Sequence, residues 1–341
     1  ATVKNKNAVL KFLTSKKKAK TLNVEETSVP KIDILETNNR VPWSGHMASY
    51  AIRDIYQKIK KSSLTIVFVN TRAQAELVFN KLWQENDNNL RIAIHHGSLE
   101  KEIRRKVESL MSLGKIDCVV ATSSLDLGID WGDVDLVVQI GSPKGISRFL
   151  QRIGRSNHRF DEPSNALLVP SNRFEYLECL SAINSIKNKL LDETKEKKGS
   201  LDVLAQHILG VACSEPFQVD ELYNQVINAW PYRNLTKIKF FEVLEFVKNG
   251  GYSLKHYEQY SKIGLNKDKF YAIKNKSVRN RYRLNVGTIV ESYMLKVKLG
   301  NRTLGQVEEW FIEGLNEGDT FLFSGRVLEY QSISNNNVIV K

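Results

Sequence analysis

Apolar positions change their period several times along the chain, and each change predicts an element. Tyr50, Ile52, Ile55, Tyr56 and Ile59 recur at helical spacing, whereas 64–69 is an unbroken apolar run that predicts a buried strand. Ala75, Val78, Phe79 and Leu82 mark a second helix, and 91–95 a second strand. Ile103, Val107, Leu110 and Met111 then form the inner face of a helix for which Ser98 is the predicted cap and Gly114 the left-handed terminator. Further strands are predicted at 118–121, 134–140 and 166–169. Helices alternating with continuous apolar strands predict an α/β fold with a parallel sheet covered on both faces, whose ligands sit at the carboxyl ends of the strands.

The pattern changes after residue 170. Leu177, Leu180, Ile183 and Ile186 predict a helix, a charged stretch at 192–198 follows, and three more helices are predicted near 201–212, 218–229 and 236–248. Gly250 and Gly251 stop the last of these, and a β segment at 252–262 would complete a winged helix. From about 270 the chain turns β-rich, at 282–286, 288–297 and 320–328, which predicts the start of a β-barrel. Before 46, a short helix at Val9, Leu10 and Leu13 and the basic run Lys16-Lys17-Lys18 lead into a polar linker ending at Val41-Pro42-Trp43. The expected division is therefore 1–45 for the end of a preceding domain and a linker, 46–175 for the parallel sheet, 176–265 for a helical linker and winged helix, and 266–341 for a β-rich domain. Ala1 at the start, and 338–341 reading as a strand in progress, lead to the expectation that the chain is part of something longer.

Charge narrows the class of partner. Lys and Arg number 50 against 38 Asp and Glu, a net +12, which favours a polyanion, most simply nucleic acid. The apolar fraction of 42% excludes gross disorder. Cys118, Cys179 and Cys213 are far apart and odd in number, so a disulfide framework is not expected and a cytoplasmic location fits. No Cys/His spacing suits zinc, no metal site is expected, and no apolar run is long enough to span a bilayer.

The segment with the most chemistry is 151–159, Gln-Arg-Ile-Gly-Arg-Ser-Asn-His-Arg. Arg152 and Arg155, three apart, would share a helical face, and a guanidinium is permanently charged and meets phosphate oxygens two at a time. The segment resembles motif VI of superfamily 2 helicases. Residues 120–130, Val-Ala-Thr-Ser-Ser-Leu-Asp-Leu-Gly-Ile-Asp, resemble motif V, and 67–72, Val-Phe-Val-Asn-Thr-Arg, resemble motif IV. His95-His96-Gly97-Ser98-Leu99 falls between a strand end and a helix start, a natural phosphate seat. Residues 68–76, Trp131 directly after motif V, and 201–207 (Leu-Asp-Val-Leu-Ala-Gln-His) resemble the Lhr group, most of all its bacterial ligase-associated DEXH-box branch. The resemblance runs along nearly the whole chain, and Ala1-Thr2-Val3 resembles the tail of motif III.

The resemblance implies the second RecA-like motor domain, a winged helix and a β-barrel domain of an ATP-dependent, 3′-to-5′ DNA helicase acting in repair. It implies catalytic roles for Arg155, Arg152 and His158, with Arg155 facing the γ-phosphate, Arg152 holding the motif together, and His158 either touching nucleotide or packing. It implies that Gly128, Asp130 and Gln151 meet ATP, and that Thr71, Arg72, Gly97, Ser98, Thr122 and Ser123 meet DNA, as a single strand or a 3′-tailed duplex. A DNA ligase and a nuclease are implied partners. ATP and Mg2+ would be held mainly by a first RecA-like domain: no GxxxxGK[ST] loop is present, and neither Asp161-Glu162 nor Asp192-Glu193 follows an apolar strand as a metal-holding pair would.

Arg279, Arg281 and Arg283, interleaved with Tyr282, would share one face of a strand, either a basic stripe tracking a DNA backbone or a solvated face. Trp43 and Trp131 are read as packing at a domain boundary rather than stacking on a base, Trp230 and Trp310 as core, and His46, His207 and His256 as structural or solvated. A non-catalytic nucleic-acid-binding module is the alternative function. The lack of any GxGxxG after a strand, together with the motif VI segment, argues against a Rossmann-type metabolic enzyme.

Overall fold

The computed structural model describes residues 4–14, 22, 29–45, 47–126, 134–156, 163–192, 198–252, 254, 256–257, 260–284 and 293–341. The chain divides into two compact units: one holds 23–192 and 292–341, the other 5–22 and 193–291.

The elements of the first half, in chain order, are α1 (Lys6–Leu13), β1 (Lys31–Ile34), α2 (Ile52–Ile59), β2 (Thr65–Phe68), α3 (Arg72–Gln84), β3 (Ile92–His95), α4 (Lys101–Ser112), β4 (Cys118–Ala121), β5 (Leu136–Ile140), α5 (Ile146–Ile153), β6 (Asn165–Val169) and α6 (Arg173–Lys187). The strands form one parallel sheet in the order β1-β6-β5-β2-β4-β3. β2 and β4 are buried at every position, which is why they read as continuous apolar runs. One core lies on each face. Ile55, Ile59, Val78 and Leu82 pack with Val67 and Val120 on one side, and Phe149, Ile153 and Met111 with Ile66, Phe68 and Val119 on the other. β1 is a correction: residues 31–34, expected within a linker, form an edge strand of this sheet beside β6.

A second correction concerns Ser98. The N-cap of α4 is Glu100, without a side-chain cap bond, and the Ser98 hydroxyl instead accepts from Arg72 Nη1 at 3.3 Å. Gly114, at φ +63, ends the helix as predicted.

The helical unit contains α7 (Leu201–Ser214), α8 (Val219–Ile227), α9 (Lys237–Asn249), β7 (Ile263–Leu265), β8 (Tyr271–Ile273) and α10 (Lys276–Leu284), a winged helix in which β7 and β8 pair antiparallel as the wing. Its core joins Leu204, Ile208, Leu222, Val226, Phe240, Leu244, Ile263 and Tyr271. The wing strands therefore fall later than the 252–262 expected, and residues 266–284, expected in the β-rich region, belong to this unit. Over 282–284, α10 stands where a strand was predicted, and residues 285–292, which include the rest of that prediction, lie outside the described residues. Asn275 supplies the start signal, its side chain accepting from Val278 N–H at 3.2 Å in the manner of an N-cap.

β9 (Met294–Leu299), β10 (Arg302–Glu308), α11 (Glu309–Glu313), β11 (Thr320–Phe323), β12 (Arg326–Ser334) and β13 (Asn337–Val340) make a five-stranded sheet in the order β10-β9-β13-β12-β11. Register shifts at 303–305 in β10 and 330–332 in β12 are bulges of the kind that curl a sheet towards a half-barrel. β13 is paired on both sides, parallel to β9 and antiparallel to β12. Trp310, read as core, is 65% exposed, and the sheet interior is filled instead by Leu295, Val297, Phe321, Phe323 and Val338. No helix among the described residues is long and apolar enough to cross a membrane.

Candidate nucleotide and nucleic-acid site

Motifs V and VI meet at the carboxyl end of β4 and β5. Arg152, on the last turn of α5, is 3% exposed. Its Nε and Nη2 donate to the two carboxylate oxygens of Asp126 at 2.7 and 3.4 Å, and its Nη1 donates to Gln139 Oε1 at 2.6 Å. The guanidinium carbon lies 4.8 Å from the centre of the Phe68 ring. A buried cation is tolerable only when so fully paired. Gln139 hands the network on, donating to the carbonyls of Ile140 and Gly141 at 2.9 and 3.3 Å. Asn70, at the end of β2, donates to Ser142 O at 3.0 Å, so motif IV joins the same set of strand ends.

Arg155 follows Gly154, the residue that closes α5, and is half-buried. Its Nη2 donates to the carbonyl of Asp126 at 2.9 Å. Arg152 and Arg155 thus both reach Asp126, one to its side chain and one to its backbone. Gln151 is half-buried on α5. The N-terminal end of that helix is also tied down, since Asp192 Oδ2 accepts from Ser147 N–H at 2.9 Å. Gly128, Asp130, Trp131 and His158 lie outside the described residues, as do Asp161, Glu162, Glu193 and His46.

The loops expected to meet nucleic acid lie beside one another at adjacent strand ends. Thr71 is exposed and caps α3 through Gln74 N–H. Gly97 is exposed and has open space where a side chain would start. Thr122 donates its N–H to His95 O at 3.3 Å, which sets the motif V loop next to the 97–98 loop, and Ser123 is exposed. His95 itself is buried between Ser124 Oγ (2.7 Å) and Glu108 Oε1 (3.1 Å). Burial pushes its imidazole below the ordinary value, against the opposing pull of Glu108. Arg72 and Ser98 are joined to each other, and Arg72 to Glu308 at 2.7 Å.

The three arginines near 280 do not form a strand stripe. On α10, Arg279 and Arg283 share a face and Arg281 points about 200° away from Arg279. Arg279 and Arg283 lie close enough to Cys213 on α7 to oppose electrostatically the upward push of burial on its thiol. Arg281 and Arg283 are exposed. Trp43, expected to be packed, is 68% exposed with the Arg173 guanidinium 4.1 Å above its ring. Trp230, read as core, is half-buried between Lys11 and Arg233. His207 and His256 are exposed.

Sequence reasoning missed Asp126, Gln139, Asp192, Glu76 and Glu308. Gln139 had a signal, a lone amide inside an otherwise apolar strand. Asp126 stands within the motif V segment, between the residues singled out there (Thr122 and Ser123 before it, Gly128 and Asp130 after it). Glu308 had none, because its partner is 236 residues away.

A parallel sheet with an arginine-bearing helix tied to the loop of a neighbouring strand, followed in the chain by a winged helix, is the architecture of a helicase second motor domain with its accessory domain. Residues 49–160 match the helicase conserved C-terminal domain, and 184–341 match the winged helix domain of large helicase-related proteins. The chain belongs to the Lhr family of helicases. It is 38% identical over 283 residues to the ATP-dependent helicase Lhr-Core of Methanocaldococcus jannaschii, an alignment covering 83% of this chain and 33% of that protein. It is 31% identical over 254 residues to the Lhr helicase/uracil glycosylase of Escherichia coli, covering 72% and 16%. The structure of Mycobacterium smegmatis helicase Lhr bound to ssDNA and AMP-PNP matches with a TM-score of 0.70 at 26% identity, over 84% of this chain and 37% of that one. The chain thus spans about a third of the length of its Lhr-Core relatives.

Proposed function

We propose that the chain is the carboxyl-side part of the core of an ATP-dependent DNA helicase or translocase with 3′-to-5′ polarity, acting in DNA repair. The observation that carries this reading is the buried bridge from Arg152 to Asp126 and Gln139, which joins the motif V loop to the motif VI helix and leaves Arg155 anchored at its edge. ATP and Mg2+ would be held mainly by a first RecA-like domain, whose phosphate-binding loop this sequence does not contain. The donor set present here fits a triphosphate: a half-buried guanidinium, permanently charged and braced on a main-chain carbonyl. Arg155 acts as the arginine finger, neutralising charge on the transferring phosphoryl group. Arg152, buried and fully engaged, orients it. Gly128, Asp130, Gln151 and His158 complete the nucleotide side.

DNA meets Thr71, Gly97, Ser98, Thr122 and Ser123 at the adjacent strand ends, with Arg279, Arg281 and Arg283 of α10 adding backbone contacts. The net +12 and the DNA-bound state of the structural relative support a nucleic-acid partner, single strand or 3′-tailed duplex. A ligase, a nuclease and a cytoplasmic location follow from the resemblance to the ligase-associated branch. The test is binding of this chain to a fluorescent oligothymidylate across a salt series. Affinity should fall with a log–log slope of roughly −0.7 for each phosphate neutralised, and no DNA-stimulated ATP hydrolysis should appear without the partner domain. Affinity independent of salt, or a strong base-sequence preference, would overturn the reading.

A further inference from the structure

Two side chains one turn apart on α3 are committed to the C-terminal sheet. Arg72 Nη1 donates to Glu308 Oε2 at 2.7 Å and to Ser98 Oγ at 3.3 Å, and the guanidinium carbon sits 5.5 Å from the centre of the Phe311 ring. Glu76 is 1% exposed. It accepts the main-chain N–H of Ser324 and, at 2.7 Å, that of Gly325, both in the turn between β11 and β12. Its third donor is His96 Nε2 at 2.9 Å, whose ring packs edge-on to Phe323 of the sheet core.

The main chain joins the two parts as well. Gln306 N–H donates to Ser98 O at 2.8 Å and Glu100 N–H to Leu304 O at 3.1 Å, so residues 98–100 extend the sheet beyond β10. Two glycines permit this approach. Gly305 has φ +159, and a Cβ there would stand 2.1 Å from Ser98 O; Gly325 has φ +71, and a Cβ would stand 2.5 Å from the Phe79 ring. The motor fold therefore borders the curled sheet at both ends, with 98–100 against β10 and α3 against the β11–β12 turn.

We propose that Arg72 and Glu76 are positioning residues that fasten the C-terminal sheet to the motor fold and thereby hold the 97–100 loop in the geometry in which it meets DNA. The second half of this statement rests on the DNA reading given above. The geometry separates this role from that of a phosphate ligand. An arginine waiting for a phosphate presents its fork outwards, whereas Arg72 turns its flat face to Phe311 and commits Nη1 to both a carboxylate and the loop itself. Glu76 has three donors on two oxygens, an arrangement that stabilises a carboxylate away from water. The loop, α3 and the sheet then move as one body, so the sheet transmits force to the strand ends where DNA would lie.

A charge exchange decides the matter. Arg72→Glu and Glu308→Arg are made singly and together in this chain, with Arg72→Gln as the variant that avoids repulsion. Each reversal should lower the unfolding midpoint of the motor unit by about 4 °C or more and weaken oligothymidylate binding by about tenfold. The double exchange should recover most of both, because a fastening needs opposite charges in either order whereas a phosphate ligand needs the cation at position 72. Independently, Glu76→Gln should speed amide exchange at Ser324 and Gly325. The proposal is overturned if Arg72→Gln leaves the midpoint unchanged while reducing the salt slope, or if the double exchange restores stability but not binding. If the unmodified chain binds no oligothymidylate, the DNA reading fails, and the recovery of the midpoint still decides whether Arg72 fastens the sheet.

Discussion

The parallel-sheet fold and the winged helix bury different kinds of side chain. Among the described residues, Gln74, Glu76, His95, His96, Asp126, Gln139, Arg152 and the other buried polar or charged groups all lie between 65 and 172. Over 201–284 the buried side chains are aliphatic or aromatic, with the Cys213 thiol and the Tyr271 ring as the least apolar. A buried charge is costly unless every partner is in place, so the sheet fold accepts one arrangement of its strand-end loops and penalises the rest. Apolar helix packing has no such stringency and tolerates exchanges that conserve volume. The motor fold spends stability on geometry, and the winged helix does not.

The largest effect that would sharpen this contrast is on turnover. In the protein carrying both motor domains, Arg155→Ala should lower DNA-stimulated ATP hydrolysis by roughly 10³–10⁵-fold and leave DNA affinity within a few-fold. A variant that hydrolyses ATP normally but no longer binds DNA would show that Arg155 serves the other side of the domain. Next in size is Arg152→Met, which takes the buried partner from Asp126 and leaves it, among the described residues, only the exposed Arg148 guanidinium at 3.5 Å; it should cost about 3 kcal/mol in denaturant unfolding of the motor unit. Phe240→Leu, at the centre of the winged-helix core, should cost only about 1 kcal/mol; a cost equal to that of Arg152→Met would break the comparison.

The smallest effect is the response to acid. Burial holds the folded His95 imidazole below its ordinary value. At Glu308 burial pushes the carboxyl up, but its own backbone amide and Arg72 outweigh that and hold it below the usual range. In both cases the unfolded chain binds the proton more readily, so the stabilisation is complete above the unfolded value and is lost as pH falls through the folded one. For His95 the loss begins below pH 6.5, the ordinary histidine value, and for Glu308 below 4.5, the ordinary value for its carboxyl. None of the groups with a resolved shift in the winged helix (Cys213, Tyr232 and Lys248) is lowered. Amide protection factors, taken relative to the intrinsic rate at each pH from 8 to 5, should therefore fall in the sheet unit before the helical one.

Much of the fold was legible because its signals are local. The runs at 64–69 and 118–121 could only be buried strands, and Gly250 ended α9 where a left-handed residue was needed. Of the site, Arg152 and Arg155 were legible from the spacing of motif VI. The errors arose where a local pattern supports two structures. Alternating arginines at 279–283 fit a strand face, but the Asn275 cap and packing against α7, where Tyr282 meets Gly210, favour a helix. Trp310 looked like core because tryptophan usually is, yet Phe321 and Phe323 fill that interior.

The sequence by itself determined the alternation of strands and helices between 50 and 187, the positions of the motif loops at strand ends and the basic charge, since each depends on residues a few positions apart. Only the tertiary structure decided which charges are spent internally. Arg72 reads as a DNA contact in motif IV, and Glu76 stands only as the last residue of the 68–76 segment, with no role assigned. Their partners at 308, 324 and 325 lie more than 230 positions away, brought within 3 Å by the folding of the sheet onto α3. Pairing across such a distance is set by the packing of whole elements, and no periodicity along the chain encodes it.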